Sequence, residues 1–115
     1  MVTVADIAER LALKVLTRKA SLNKDITGGY ASDLLGCVMA RAQAGNIWVT
    51  LQAHPNVVAV ATLLNLSGVI VAEGNTVGQP TIDKAEEEGI AILSTPSTTY
   101  TVVERLGENG VHGIG

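Results

Sequence analysis

Apolar positions along the chain keep changing rhythm between helical and extended spacing. Val4, Ile7 and Leu11 recur at helical intervals behind Thr3, with Asp6 three residues on in capping-box position, which predicts a helix over residues 4–12. Lys14 to Leu16 reads as a short strand, and Arg18 to Asn23 as a polar loop or edge segment. Gly28-Gly29 interrupts the pattern. From Tyr30 to Gln43 the spacing predicts a helix with Leu34, Leu35, Val38 and Met39 on one side. Ser32 or Ala31 stands near its start, Asp33 in its first turn, and Gly45 at its stop. Ile47 to Leu51 is rich in strand formers. His54-Pro55-Asn56 introduces a helix over roughly 55–65, striped by Val58, Ala61 and Leu64, whose β-branched residues give it little intrinsic helix preference. Val69 to Ala72 is a continuous apolar strand. A helix over 80–88 follows, with Pro80 in its first turn and Gly89 as its stop. Ile90 to Leu93 forms the last strand, and Pro96 starts a final helix over 97–106 that ends at Gly107.

Strand and helix thus alternate at intervals of about 20–24 residues, the rhythm of parallel strands joined by right-handed crossovers. The expected fold is α/β: a three-layer-like domain with a small, mostly parallel sheet flanked by helices. Its strands are apolar without alternation, as when both sheet faces are covered. Residues 1–107 form the single expected domain. Residues 108–115, rich in glycine, are expected to be a flexible tail with Val111 and Ile114 as anchor points.

Composition narrows the function. Hydrophobic residues make up 47% of the 115 positions and charged residues only 17%, so helices must cover the sheet or a partner must cover part of the surface. Aromatic content is 3% with no Phe, too sparse for the stacking platforms on which single-stranded nucleic acids lie, and no nucleic-acid partner is expected. Five of the eight basic residues, Arg10, Lys14, Arg18, Lys19 and Lys24, fall near the start, either as a solvated face or as a patch for an anionic ligand. Cys37 is the only cysteine and sits in an apolar run, as a buried thiol does; a cytoplasmic location follows. The residues after Met1 do not have the pattern of a signal peptide, and Asn65, Ser67 and Glu73 break the longest apolar stretches, so no membrane span is expected. From Ala42 to Ala72 the chain carries no Asp, Glu, Lys or Arg. Either this is a neutral exposed surface or it is a subunit interface, with a twofold homodimer as the default geometry. Charge placed at Val58 or Ala61 would test that helix as the contact.

Ligands of parallel sheets gather beyond the carboxyl ends of the strands. Residues assigned to that rim are Asp25, Thr27, Gly28 and Gly29 after the first strand, Glu73, Gly74 and Asn75 after the 69–72 strand, and Thr95 and Thr98 after the last. Glycines let a ligand approach the backbone and hydroxyls supply neutral donors, although ordinary turns use the same residues. No Walker A ending or Rossmann fingerprint occurs. His54, His112 and Cys37 are too few for a zinc site, and no nucleophile elbow is present. No catalytic residue, cofactor or metal is assigned.

Asp25-Ile26-Thr27-Gly28-Gly29, followed by Asp33-Leu34-Leu35, resembles the DRTGG domain family, named for its five-residue motif. Val69-Ile70-Val71 with the loop Gly74 to Pro80, and Ile90 to Ser94 followed by Thr99-Tyr100, match the family's Gly-rich loop and Thr-aromatic pair in the same order. The resemblance spans residues 3–107, and Ile26 stands where the motif has Arg. Such domains are similar to the N-terminal domain of HPr kinase/phosphorylase and also occur between CBS domains in pyrophosphatases and within phosphotransacetylases. The resemblance implies a non-catalytic regulatory module that homodimerises and senses a nucleotide or phosphorylated metabolite. The alternative is a structural or protein-interaction module acting on a partner enzyme.

Overall fold

The computed structural model describes residues 1–115, in the element order α1 (Val4–Arg10), β1 (Lys14–Val15), β2 (Gly28–Ala31), α2 (Leu35–Arg41), β3 (Asn46–Thr50), α3 (Asn56–Leu63), β4 (Gly68–Val71), α4 (Gln79–Glu88), β5 (Ile92–Ser94) and α5 (Thr99–Glu108). The five strands form one sheet in the order β1-β5-β4-β3-β2. β2 to β5 run parallel, and β1 lies antiparallel against β5 with Lys14 opposite Ser94. This is the predicted α/β architecture of strand–helix units around a largely parallel sheet.

Alternation along each strand divides the interior into two layers. Ile47, Val49, Ile70, Ala72, Ala91 and Leu93 point to one face, where Val4 and Ile7 of α1, Leu11 just after it, and Val102 and Leu106 of α5 cover them. Trp48, Val69, Val71 and Ile92 point to the other, against Val38 of α2, Val57, Val58 and Ala61 of α3, and Ala85 of α4. The three crossover helices lie on a single face because the chain steps from β2 to β5 always in one direction.

Several local expectations change. Gly28-Gly29 does not break the chain: Gly28–Ala31 is the edge strand β2, and Tyr30 and Ala31 belong to it rather than to a helix. α2 is accordingly only seven residues long. Its first residue follows Leu34, whose side chain makes no capping bond. Asp33 is not in the first helical turn; its Oδ1 accepts from Thr50 Oγ1 at 2.9 Å and from the Leu51 N–H at 2.8 Å, closing the end of β3. Of the apolar side assigned to α2, only Val38 is fully buried, whereas Leu34 is 67% and Met39 49% exposed. Val58 and Ala61, assigned to an interface, face the sheet and are buried; α3 turns Ala59, Thr62 and Leu63 outward instead. α1 stops at Arg10, because Ala12 takes a left-handed conformation (φ 53°). Its Thr3–Asp6 capping box is formed as the sequence predicts.

The polar stretch 17–20 is held from α4. Glu86 accepts the Arg18 and Lys19 N–H groups at 2.8 and 2.9 Å. These bonds, Arg18 first, hold its carboxyl below the usual glutamate range. A depressed carboxyl stabilises the fold above its unfolded pKa and loses that contribution as pH falls through the folded value. Glu86→Gln is therefore expected to be less stable than wild type at neutral pH, with the difference shrinking in acid. Urea denaturation at the two pH values reads this directly.

Candidate functional site

Parallel register places the assigned rim residues at two opposite ends of the sheet. Gly28 pairs with Asn46 and Gly29 with Ile47, the first residues of β3, so the Gly-Gly pair marks the amino end of β2. The carboxyl-end placement of Asp25, Thr27, Gly28 and Gly29 is thus corrected: Asp25 and Thr27 precede β2, Gly28 and Gly29 open it, and all four lie at the amino end of the parallel strands.

The motif is built into local structure. Asp25 is exposed and its backbone bridges Thr3. Ile26 is buried in the core with Val4 and Ile7, a position suited to an aliphatic side chain. The Thr27 hydroxyl donates to Ala44 O at 2.8 Å and accepts from Asn46 Nδ2 at 3.1 Å, tying β2 to the α2–β3 turn. The Gly29 N–H donates to His112 O at 2.9 Å, so the segment after α5 covers the free edge of β2. A Cβ on Gly28 would sit 3.1 Å from the same carbonyl oxygen and 3.0 Å from Ile114 Cγ2, which explains glycine at this close approach. Val111 is buried beside Leu106.

Glu73, Gly74, Asn75, Thr95 and Thr98 lie together at the other end, beyond β4 and β5. The chain leaves β4 for α4 on one face, yet leaves β5 for α5 on the other. Adjacent loops that diverge in this way open a crevice, the usual ligand position in open α/β sheets. A cleft of about 260 Å³ lies there, lined by Ala12, Lys14, Gly74, Asn75, Ser94, Thr95 and Pro96.

Two groups of the assigned rim have structural duties beside the cleft. Glu73 Oε2 accepts the Thr99 N–H at 2.7 Å, so a carboxylate of the chain already occupies the amino end of α5. Thr98 caps the same helix through the Thr101 N–H at 3.3 Å. Gly74 N–H donates to Thr95 O at 3.0 Å and Glu73 N–H to Ser97 O at 2.8 Å, joining the two loops. Asn75 Nδ2 donates to Leu51 O, which ties the β4 loop to the end of β3. Ala12 and Glu73 are two of only three non-glycine residues with positive φ, at 53° and 64°, and both stand at this crevice. Left-handed backbone disfavours side chains by roughly 1–2 kcal/mol, and such strain gathers where loops are shaped for a purpose.

Lys14 is the cation of the cleft. Sequence reading placed it in the basic amino-terminal set but not in the rim, because only the antiparallel β1–β5 pairing carries it there. No three His, Cys, Asp or Glu side chains come together as a metal site. His54 Nδ1 accepts the Asn56 N–H at 3.1 Å in a local turn. No helix is long and apolar enough to cross a membrane.

Comparison with known proteins agrees with the fold. The DRTGG domain matches over residues 6–108. The chain belongs to the DRTGG domain family. Among solved structures, the DRTGG chain resembles the CBS and DRTGG domains of the regulatory region of Clostridium perfringens pyrophosphatase, a crystal structure complexed with the activator diadenosine tetraphosphate, with TM-score 0.69 and 18% identity over 90% of this chain. The match takes in 45% of that structure, so the DRTGG chain spans a little under half of it. No curated protein matches. In the pyrophosphatase structure a DRTGG domain stands beside CBS domains in a regulatory region complexed with a nucleotide activator.

Proposed function

We propose that this DRTGG domain is a homodimeric regulatory module that senses a small anionic ligand in the crevice between the β4 and β5 loops. The observation that carries the reading is the divergence of those loops around Lys14, Gly74, Asn75 and Thr95. Lys14 supplies the positive charge, and Ser94 and Thr95 supply hydroxyls. The cleft, about 260 Å³, falls just below the roughly 300–1,000 Å³ of sites that enclose drug-sized ligands. It suits a phosphoryl group, either of a phosphorylated metabolite or at the end of a nucleotide whose remainder lies outside. The nucleotide activator bound to the similar regulatory region supports the same class.

A thermal-shift screen of nucleotides, nucleotide-sugars and phosphorylated metabolites tests this reading. A ligand at 100 times its Kd adds about 2.7 kcal/mol of stability, on the order of 10 °C in Tm for a domain of this size. One chemical class is expected to give a saturable rise, and Lys14→Glu is expected to abolish it while leaving the unliganded Tm within about 2 °C, because Lys14 is exposed. No rise with any class, from protein that is dimeric by light scattering, would favour the second reading, a module that acts only by contact with a partner enzyme. The exposed Leu34, Met39 and Leu63 favour that alternative.

A further inference from the structure

β2 leaves one edge of the sheet open. Its amides alternate between two sides: the Ser32 N–H just beyond it donates to Val49 O of β3 at 3.2 Å, whereas the Gly29 N–H points away, to His112 O. Gly29 and Ala31 are thus the outward residues of the strand. The Gly29 bond is the one main-chain bond that residues 112–115 make to the rest of the chain. The Gly29 carbonyl and the N–H and carbonyl of Ala31 therefore face outward with no tail group to pair with. Native edges are usually guarded by charge or proline, and Gly28-Gly29-Tyr30-Ala31 carries neither.

Gly29 adds an independent observation. Glycine inside a strand weakens it and marks places where another backbone comes close. At Gly28 the tail is that backbone. At Gly29 a Cβ would find ordinary contact, 3.4 Å from Val111 Cγ1 and 3.9 Å from Ile47 Cγ2, and its φ is not positive. The packing of this chain does not require glycine there.

Two hollows flank this stretch of edge, and Gly29, Tyr30, Ala31 and Gly113 line both. The first, about 90 Å³, lies on the α5 side, where Val49, Val103, Leu106 and Val111 wall a space suited to one aliphatic side chain. The second, about 360 Å³, lies on the α2 side and is lined by Arg41 and Gln43, with no carboxylate. An extended peptide on a sheet edge sends successive side chains to opposite faces. One residue enters the apolar hollow, and its neighbour meets Arg41. Charge complementarity makes that neighbour acidic.

We infer that the β2 edge receives an extended segment of a partner protein in which an aliphatic residue adjoins Asp or Glu. Main-chain bonds to Gly29 and Ala31 hold the segment, and the hollow and Arg41 select it. The inference is independent of the ligand crevice, which lies across the sheet beyond β4 and β5. An array of octapeptides with a threonine host sequence and every residue pair at the two central positions, probed with the labelled full chain, tests it. Pairs of Val, Ile or Leu with Asp or Glu are expected to be retained, and the same peptides with Lys in the acidic place to be lost. Arg41→Glu is expected to weaken the acidic peptides about fivefold and to bring up those with Lys, since opposite charges become like charges. Val103→Asp, at a position 45% exposed, is expected to close the hollow to aliphatic residues with far-UV circular dichroism unchanged. Lys14→Glu should leave the pattern as it is. The tightest peptide is expected to shift the Gly29 and Ala31 amides in the ¹⁵N spectrum. An array that retains no peptide, or a preference that is the same in wild type and Arg41→Glu, would overturn the inference. So would retained peptides whose shifts fall away from β2.

Discussion

Trp48→Ala is expected to remove about 3–5 kcal/mol of stability, the range for emptying a buried aromatic position. Trp48 is wholly inaccessible at the centre of β3, among Val38, Val57, Val58, Val69 and Ile92. Its Nε1–H donates to Ser32 O at 2.8 Å, which anchors the chain just after β2. Truncation leaves a cavity between α2, α3 and the sheet and releases that carbonyl. A domain of this length holds on the order of 10 kcal/mol in total, so up to half of it goes. The expected fall in Tm is roughly 10–20 °C, followed by circular dichroism because Trp48 is the only tryptophan and its fluorescence goes with it. Trp48→Phe refills much of the volume and should lose less than half as much. A Trp48→Ala protein that melts within about 3 °C of wild type would show that this layer is loosely packed.

Gly45→Ala is the second large effect. Gly45 has φ 83°, and a Cβ there would lie 2.6 Å from Thr27 Cγ2 and 2.8 Å from Thr27 Oγ1. Left-handed backbone accounts for about 1–2 kcal/mol of the loss, and the collision raises it to about 3 kcal/mol. Thr27 cannot simply turn away, because its hydroxyl holds Ala44 and Asn46. Gly45→Asn separates the two causes: asparagine tolerates the left-handed region but still carries a Cβ, so it should remain destabilised. In the double variant with Thr27→Ala the collision is relieved, and the combined loss is expected to fall short of the sum by about 1 kcal/mol. Strict additivity in chemical denaturation would mean that Thr27 and Gly45 do not constrain each other. Thr27 in the DRTGG motif thus has a packing role: it fills the concave side of the turn that Gly45 makes.

Legibility from sequence divides along physical lines. Helices with strong end signals were readable: α1 from its capping box and α4 from Pro80 and the left-handed Gly89. The apolar runs of β3 and β4 were readable because both of their faces are covered. β2 was not, since Gly28-Gly29 looks like a turn, and only the close passage of residues 112–114 and the pairing with β3 make it a strand. The motif falls at the opposite end of the sheet from the one expected because β1, which it follows, runs antiparallel to β5. Gly74, Asn75 and Thr95 were found because they directly follow strands. Lys14 was missed as their neighbour because antiparallel pairing of a two-residue strand leaves no mark in the local pattern. Val58 and Ala61, offered as the contact within the charge-free stretch, are instead the side of α3 that packs on the sheet. Val58 and Ala61 are as apolar as Ala59 and Leu63, so nothing in the pattern separates core from surface.

Backbone NMR of the ¹⁵N-labelled domain locates a ligand held between the β4 and β5 loops residue by residue. Inorganic phosphate, AMP and the compound giving the largest thermal shift would each be titrated in turn. Saturable shifts are expected only at the amides of Ala12, Lys14, Gly74, Asn75, Ser94 and Thr95, and none in the Lys14→Glu protein. Shifts centred on Gly28, Gly29 and His112 at the opposite end of the sheet, or no saturable shift from any of the three, would contradict that placement.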